Sequence, residues 1–270
     1  MVSSFATASI ITAILSLTLG IFVYFKNTKS AVNRTWLVLS LSVSIWSFGV
    51  FATVSSHDKC HALFWGHVIY IGAPFIPSCF LHFILTILGK SHYNRQRRLL
   101  ILSYIFSIIF LALNFTSLFV RDVGPRAELR YYTKPGILYP IFSLFFFVTI
   151  VYAHYELMKA YMRVSDIKRN QLKYIWIASI AGFGGGTIIF LPVFNIKIYP
   201  FGIYTIPFYP LIISYAIVKH HLMDINIAIK KGTVYTYLSF LVLVPCMVFI
   251  IFAQRFFFGK INYVFSSLVF

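Results

Sequence analysis

The sequence predicts an all-α membrane protein that crosses the bilayer many times. Of its 270 residues, 60% are hydrophobic and 11% are charged, whereas a soluble domain carries about a quarter charged residues. Apolar runs recur along the whole chain, and each is long enough for a helix to cross a hydrocarbon core of about 30 Å. They do not alternate as the shorter strands of a membrane barrel do. We therefore expect a seven-helix transmembrane bundle, followed by an eighth span and the start of a ninth.

The predicted spans are the apolar runs between charged breaks. The first has no small-residue cleavage site behind it and leads straight into the others, so we interpret it as a retained insertion signal. The last begins near Val264 and is cut off at Phe270. A carboxylate is disfavoured in the bilayer core, and we interpret the chain as a fragment of a longer protein. The eight complete spans cover residues 5–25, 36–54, 65–88, 99–120, 137–157, 174–193, 199–218 and 234–252.

The basic residues are distributed unequally between the two sides of these spans. If the loops alternate, 15 Lys and Arg residues fall on the side that follows the first span and 8 on the other. The positive-inside rule then places the N-terminus outside. The formal net charge of +17 therefore reflects topology, and we expect no nucleic-acid partner. The expected partners are membrane lipids and an unidentified signal ligand, and a homodimer is left open.

The longest outer connection, residues 121–135, is both basic and aromatic. Gly124-Pro125 lies within it and Pro135-Gly136 at its end, and both pairs are turn signals. Its cationic side chains favour an anionic ligand, with the tyrosines supplying apolar contact area; contact with lipid headgroups is the alternative. The residues concerned are Arg126, Arg130, Tyr131, Tyr132 and Lys134.

The segment after the seventh span has apolar residues every three or four positions between 217 and 229. This spacing predicts an amphipathic helix that leaves the membrane and lies along its inner surface. We expect the segment to couple signal to output through Lys219, His220, His221 and Asp224. The two histidines with Asp224 resemble a metal triplet only superficially, because the neighbouring lysines fit contact with anionic headgroups better.

The third span contains the most prominent intramembrane polar group. At 100° per residue, His67, Pro74, Ser78 and His82 fall within an arc of about 80°. Ionisable groups in a span usually face the bundle interior or a water-filled cavity, and the prolines predict a kink. The arc therefore predicts a ligand-binding or proton-sensing cavity. Two alternatives stay open: neutral histidines bonded to neighbouring helices, and a metal site.

Other polar and small residues have simpler interpretations. Four residues of the first outer loop suggest either a chance cluster or a transition-metal site. Asn114 is expected to bond across helices, and Glu156 to form an interfacial ion pair close to Lys159. The serine stripe of the second span and the glycine run of the sixth predict close helix packing, or, for the glycines, a broken helix at a binding site. The loop cluster is His57, Asp58, Cys60 and His61; the serine stripe is Ser40, Ser44 and Ser47; and the glycine run is residues 182–186.

Three short motifs resemble the seven-helix N-terminal sensor region of bacterial membrane histidine kinases. They are residues 33–36 (NRTW) leading into 39–49; the third-span pairs and triplets at 64–65, 70–72, 75–77 and 80–83; and the exit at 215–225 (YAIVKHHLMDI). The resemblance implies a sensor module over 1–232, then further spans over 233–270, in the bacterial cytoplasmic (inner) membrane. It also implies a cytoplasmic output domain that is absent from this chain. In proteins of this kind that domain is sensory, kinase or cyclic-nucleotide-synthesising, and we expect a histidine kinase.

The chain lacks the sequence motifs of catalysis. It has no phosphoacceptor-histidine box, no ATP-binding glycine motif, no cyclase signature, and no paired intramembrane aspartates. We therefore predict no catalytic residue, no metal and no cofactor. The predicted function is a transmembrane sensor in a two-component system. A small-molecule transporter or channel-like protein is the alternative, although the spans carry almost no charge at mid-membrane.

Overall fold

The computed structural model describes residues 4–164 and 166–213, which belong to one compact unit. Within them six helical segments are long and apolar enough to cross a membrane. They correspond to the first six predicted spans. A shorter apolar helix, Phe201–Ile213, lies where the seventh was expected. The eighth and ninth spans and the exit segment with Lys219, His220, His221 and Asp224 lie outside the described residues.

The elements follow one another as α1 (Ser4–Lys26), α2 (Ala31–Ser55), α3 (Lys59–Gly72), α4 (Phe75–Ile87), α5 (Asn94–Leu113), β1 (Val120–Arg126), β2 (Leu129–Pro135), α6 (Tyr139–Tyr161) and α7 (Asp166–Val193). A 3₁₀ turn, Phe201–Tyr204, opens the last short helix. The loops alternate between two ends of the bundle. We call the end that carries β1 and β2 the hairpin end.

The third predicted span is two helices, α3 and α4, that meet at Pro74. Pro74 occupies the N-cap of α4, and Pro77 lies in its first turn, where the missing N–H groups leave no helical bond unmade. The helix is thus interrupted at the place where the kink was predicted. The span α3–α4 is also the most central of the six, with 78% of its most apolar window buried, against 22% for α5.

Small residues allow the helices to approach closely, as predicted for both stripes. Ser44 Oγ donates to the carbonyl of Ala13 on α1 at 2.9 Å. In the glycine run, a Cβ added at Gly185 would lie 2.0 Å from Thr205 Oγ1, so only glycine fits beside the 3₁₀ turn. Helix α7 is continuous through this run. The broken-helix alternative is therefore wrong.

The sequence did not predict the strands. Residues 120–135 form an antiparallel hairpin in which Arg126 pairs with Leu129. Its turn residues, Ala127 and Glu128, have φ values of 46° and 66°, so the chain reverses there and not at Gly124-Pro125. These φ values normally indicate Gly, Asn or Asp. The described part of the chain is thus predominantly helical, consistent with the all-α expectation, and it contains in addition one β-hairpin that the sequence did not predict.

Candidate functional site

A cavity of about 90 Å³ lies inside the bundle below the hairpin. Its walls come from α2, α3, α4, α6, α7, β2 and the helix Phe201–Ile213. Most of the surface is aliphatic or aromatic, and among the described residues no Asp, Glu, Lys, Arg or His side chain lines it. Ligand sites in proteins share this character, with an apolar surface and a few placed polar groups.

At the hairpin end of the cavity, hydroxyl groups are paired with one another. Tyr70 Oη donates to Tyr139 Oη at 3.1 Å and lies 3.1 Å from Thr133 Oγ1. Tyr132 Oη donates to the carbonyl of Ile189 at 2.7 Å. Burial raises the pKa of Tyr132, which keeps this phenol neutral. These bonds attach β2 to α3 and α7 and link α3 to α6 at the end of the cavity that the hairpin covers.

Tyr209, further from the hairpin, also lines the cavity but differs from the other tyrosines. Its side chain is 6% exposed, and among the described residues its hydroxyl has no hydrogen-bond partner. The ring packs against Trp36, with centroids 5.7 Å apart. A buried hydroxyl without a partner costs about 1–3 kcal/mol, so a residue of the cavity wall carries an unsatisfied donor and acceptor.

Gly186 contributes to the volume of this cavity. A Cβ built on Gly186 meets no atom within 4 Å, although the residue lines the cavity. Any larger side chain there would extend into the open space. Gly184, two residues earlier, has equally open surroundings but is exposed and does not line the cavity. Open space rather than close packing therefore distinguishes Gly186 from Gly185.

The predicted polar arc faces α5. His67 Nδ1 lies 3.4 Å from Asn114 Oδ1, and Asn114 Nδ2 donates to the His67 carbonyl at 2.8 Å. Ser78 Oγ lies 2.8 Å from Ser107 Oγ, which donates to the carbonyl of Pro74 at 2.7 Å. The prediction of interhelical bonding by Asn114 is therefore confirmed.

The inner member of the arc, His82, also bonds to α5. His82 Nδ1 lies 3.1 Å from Tyr104 Oη, which donates to Cys79 Sγ at 3.7 Å. None of His67, Ser78 and His82 lines the cavity described above. The structure places all three at a helix interface, as the alternative interpretation of the arc expected. A ligand-binding role for these residues stays a prediction.

The basic residues of the hairpin have different surroundings. The Arg126 guanidinium donates to the carbonyls of Pro192, at 2.8 Å, and Val193, so it caps the C-terminus of α7. Partial burial lowers the pKa of Arg126. Arg130 is exposed, with its guanidinium 5.3 Å from the centre of the half-buried Tyr131 ring. Arg126 is therefore bonded within the protein, whereas Arg130 and Tyr131 remain accessible, and a role of these residues in ligand binding stays a prediction.

The first loop of the hairpin end is organised around Asp58. This residue caps α3 by accepting from the backbone N–H of His61 at 3.0 Å, and its other oxygen lies 2.6 Å from His61 Nδ1. These bonds lower the pKa of Asp58. In the described part of the chain, no group of three or more His, Cys, Asp or Glu side chains is arranged to hold a metal ion.

At the opposite end, Glu156 forms the expected ion pair with a different partner. Lys90 Nζ lies 2.7 Å from Glu156 Oε2, and the side chains are 24% and 6% exposed. Lys159 instead lies over the ring of Tyr155. The lysine comes from the loop after α4, which sequence spacing on α6 could not reveal.

The sequence did not single out Tyr209 or Gly186. Tyr209 lies in an apolar run with many aromatic residues, and Gly186 is one of four glycines in five residues. Neither position carries a motif. What distinguishes them is a missing hydrogen bond and an open volume, and these features depend on the helices that surround them.

These features define a class: a multi-pass helical membrane protein with an internal apolar cavity closed at one end by a hairpin. The model of the N-terminal seven-transmembrane region of histidine kinases matches residues 8–226. The chain therefore belongs to this family, which confirms the resemblance of the three motifs. No curated protein and no solved structure matches the chain significantly.

Proposed function

We propose that the chain is a transmembrane sensor that detects an extracytoplasmic or membrane signal and transmits it to a cytoplasmic histidine-kinase domain. The observation that carries this proposal is the cavity that Ile206 and Tyr209 help to line. Both residues belong to the helix Phe201–Ile213, which precedes the exit segment 219–231 in the sequence. A ligand in the cavity would contact the helix through which the output is reached.

The electrostatics of the bundle favour a sensor over a transporter. Transport of a polar solute needs a polar path across the membrane, usually with charged residues near the midplane. The described residues that line the cavity carry no charge. A sensor requires only that a ligand bind two helix arrangements unequally, since equal affinity would shift nothing. We infer that the signal changes the packing of the helix Phe201–Ile213 against α7.

The distribution of basic residues supports an orientation with the hairpin and the N-terminus outside. Cys60 is an exposed free cysteine close to the hairpin end. In intact cells, a membrane-impermeant maleimide should label Cys60, and Cys60→Ser should lose that label. Labelling of Cys60 only after the membrane is permeabilised would reverse the orientation.

The coupling step is tested by insertions in the full-length protein. One residue inserted within 219–231 should rotate everything beyond it by about 100° if the segment is helical. We expect kinase activity to be locked or lost at normal membrane abundance. Seven inserted residues, about two turns, should restore the helical phase and most of the response. Unchanged signalling after insertions of one, two and three residues would remove the coupling role.

A further inference from the structure

We propose that the cavity is a binding site for a small uncharged molecule that is mostly apolar and carries one hydrogen-bonding group. This inference names the ligand class of the proposed sensor and in that sense rests on the proposed function. Binding itself can be measured without any output domain, so the two ideas can fail separately.

The described lining residues are all uncharged, which favours an uncharged ligand. An ion placed here would lose its hydration and find no counter-ion, which is strongly unfavourable in an apolar site. Arg126, one of the predicted anion ligands, donates instead to the carbonyls at the end of α7. An uncharged ligand is therefore the one that the site accepts.

The size and surface of the cavity decide the apolar part of the ligand. One water needs about 10–15 Å³ of such a cavity, so roughly six to nine water-sized groups fit in it. Water gains little there, because most of the lining offers no hydrogen bond and apolar cavities of this kind stay dry. A ring of the size of benzene with a short substituent would fill the space and remove apolar surface from the membrane or from water.

The unpaired hydroxyl of Tyr209 decides the polar part of the ligand. Tyr70, Tyr132 and Tyr139 have partners within the described protein, whereas Tyr209 has none there. A ligand hydroxyl or carbonyl that reaches Tyr209 Oη would supply the missing bond. One polar group is therefore expected, at the end of the ligand that is further from the hairpin.

The test compares 4-ethylphenol with ethylbenzene, which differ only in the hydroxyl group. Thermal unfolding of the purified chain in lipid nanodiscs, followed against the concentration of each probe in the lipid, gives the two affinities. We expect a saturable rise in Tm with both probes and about fivefold tighter binding of the phenol. Tyr209→Phe should bring the two affinities together.

Two glycine variants separate the cavity from the membrane surface. Gly186→Leu should fill the cavity and abolish the saturable rise in Tm. Gly184→Leu, on the exposed face of the same helix, should keep it. If Gly186→Leu does not fold, Gly186→Ala meets no atom within 4 Å and should weaken binding about threefold to fivefold, the effect of displacing about one methyl-sized group.

Several outcomes would overturn the site: no saturable rise in the wild-type chain, equal affinities for the two probes, or the wild-type response in Gly186→Leu. A lipid acyl chain retained in the cavity would give the first of these. The proposed function fails differently. The probes could bind as expected while the kinase activity of the full-length protein in membranes responds neither to 4-ethylphenol nor to lipid composition. In that case the binding site remains and the sensor role is lost.

Discussion

The polar groups between the α3–α4 span and α5 are all paired, whereas one of those that border the cavity, the Tyr209 hydroxyl, is not. On the face toward α5, the polar side chains of the span bond to Asn114, Ser107 and Tyr104. The opposite face borders the cavity, where Tyr209 has no partner among the described residues. The polar arc therefore explains how the least buried span, α5, is attached to the bundle. The unpaired hydroxyl is the feature that points to a ligand.

This difference changes which intramembrane residues are the better candidates for a functional role. Histidines within spans are conspicuous in sequence and are default candidates for function. Here His67 and His82 bond to α5, while the cavity is bordered by residue types that are common in any apolar helix. Three variants test whether pairing, and not residue type, separates the two faces.

The largest loss of stability is expected at the more buried of two ion pairs, Lys90–Glu156. Lys90→Met leaves the Glu156 carboxylate, 6% exposed, without its counter-ion. We expect a loss of about 2–3 kcal/mol, slightly below the range for fully buried pairs because Lys90 is partly solvated. Denaturant unfolding in detergent micelles measures the change.

A more exposed ion pair with a similar N–O distance, Lys59–Asp122, is the matched control. Lys59 Nζ lies 2.8 Å from Asp122, with side chains 61% and 29% exposed; the bond from Lys59 lowers the pKa of Asp122. Lys59→Met should cost less than about 1 kcal/mol. Adding Glu156→Gln to Lys90→Met should recover much of the lost stability. A loss no greater at Lys90 than at Lys59 would contradict the ranking by burial.

A smaller loss is expected from breaking the paired face at Asn114. Asn114→Ala removes both bonds to His67 and leaves the His67 carbonyl without that donor. Interhelical bonds of this kind contribute about 1–2 kcal/mol in membranes. Thr116→Ala, which removes an exposed hydroxyl bonded only to its own segment, should be nearly neutral. If both variants unfold at the same denaturant concentration, the arc contributes no stability to the attachment of α5.

The spans were predictable because hydrophobic length alone specifies a membrane helix. The kink at Pro74 and the packing of the serine stripe follow equally from local chemistry. The hairpin was missed because its turn uses Ala127 and Glu128, which carry no turn signal. The partners of Glu156 and Arg126 were missed because each comes from an element distant in sequence. Tyr209 could not be identified, since the absence of a bond is a property of the assembled bundle.

The smallest expected effect is also the one that most sharply separates the two faces. Tyr209→Phe removes a buried hydroxyl that has no partner in the described protein, so the ligand-free chain should change by less than about 0.5 kcal/mol or become more stable. Tyr132→Phe is the matched control, because it removes the bond to Ile189 from another buried tyrosine of the same cavity and should cost about 1 kcal/mol. Both are measured by denaturant unfolding of the purified chain without added probe. Equal losses in the two variants would mean that Tyr209 is satisfied in the membrane, by water or by lipid, and the distinction between the faces would disappear.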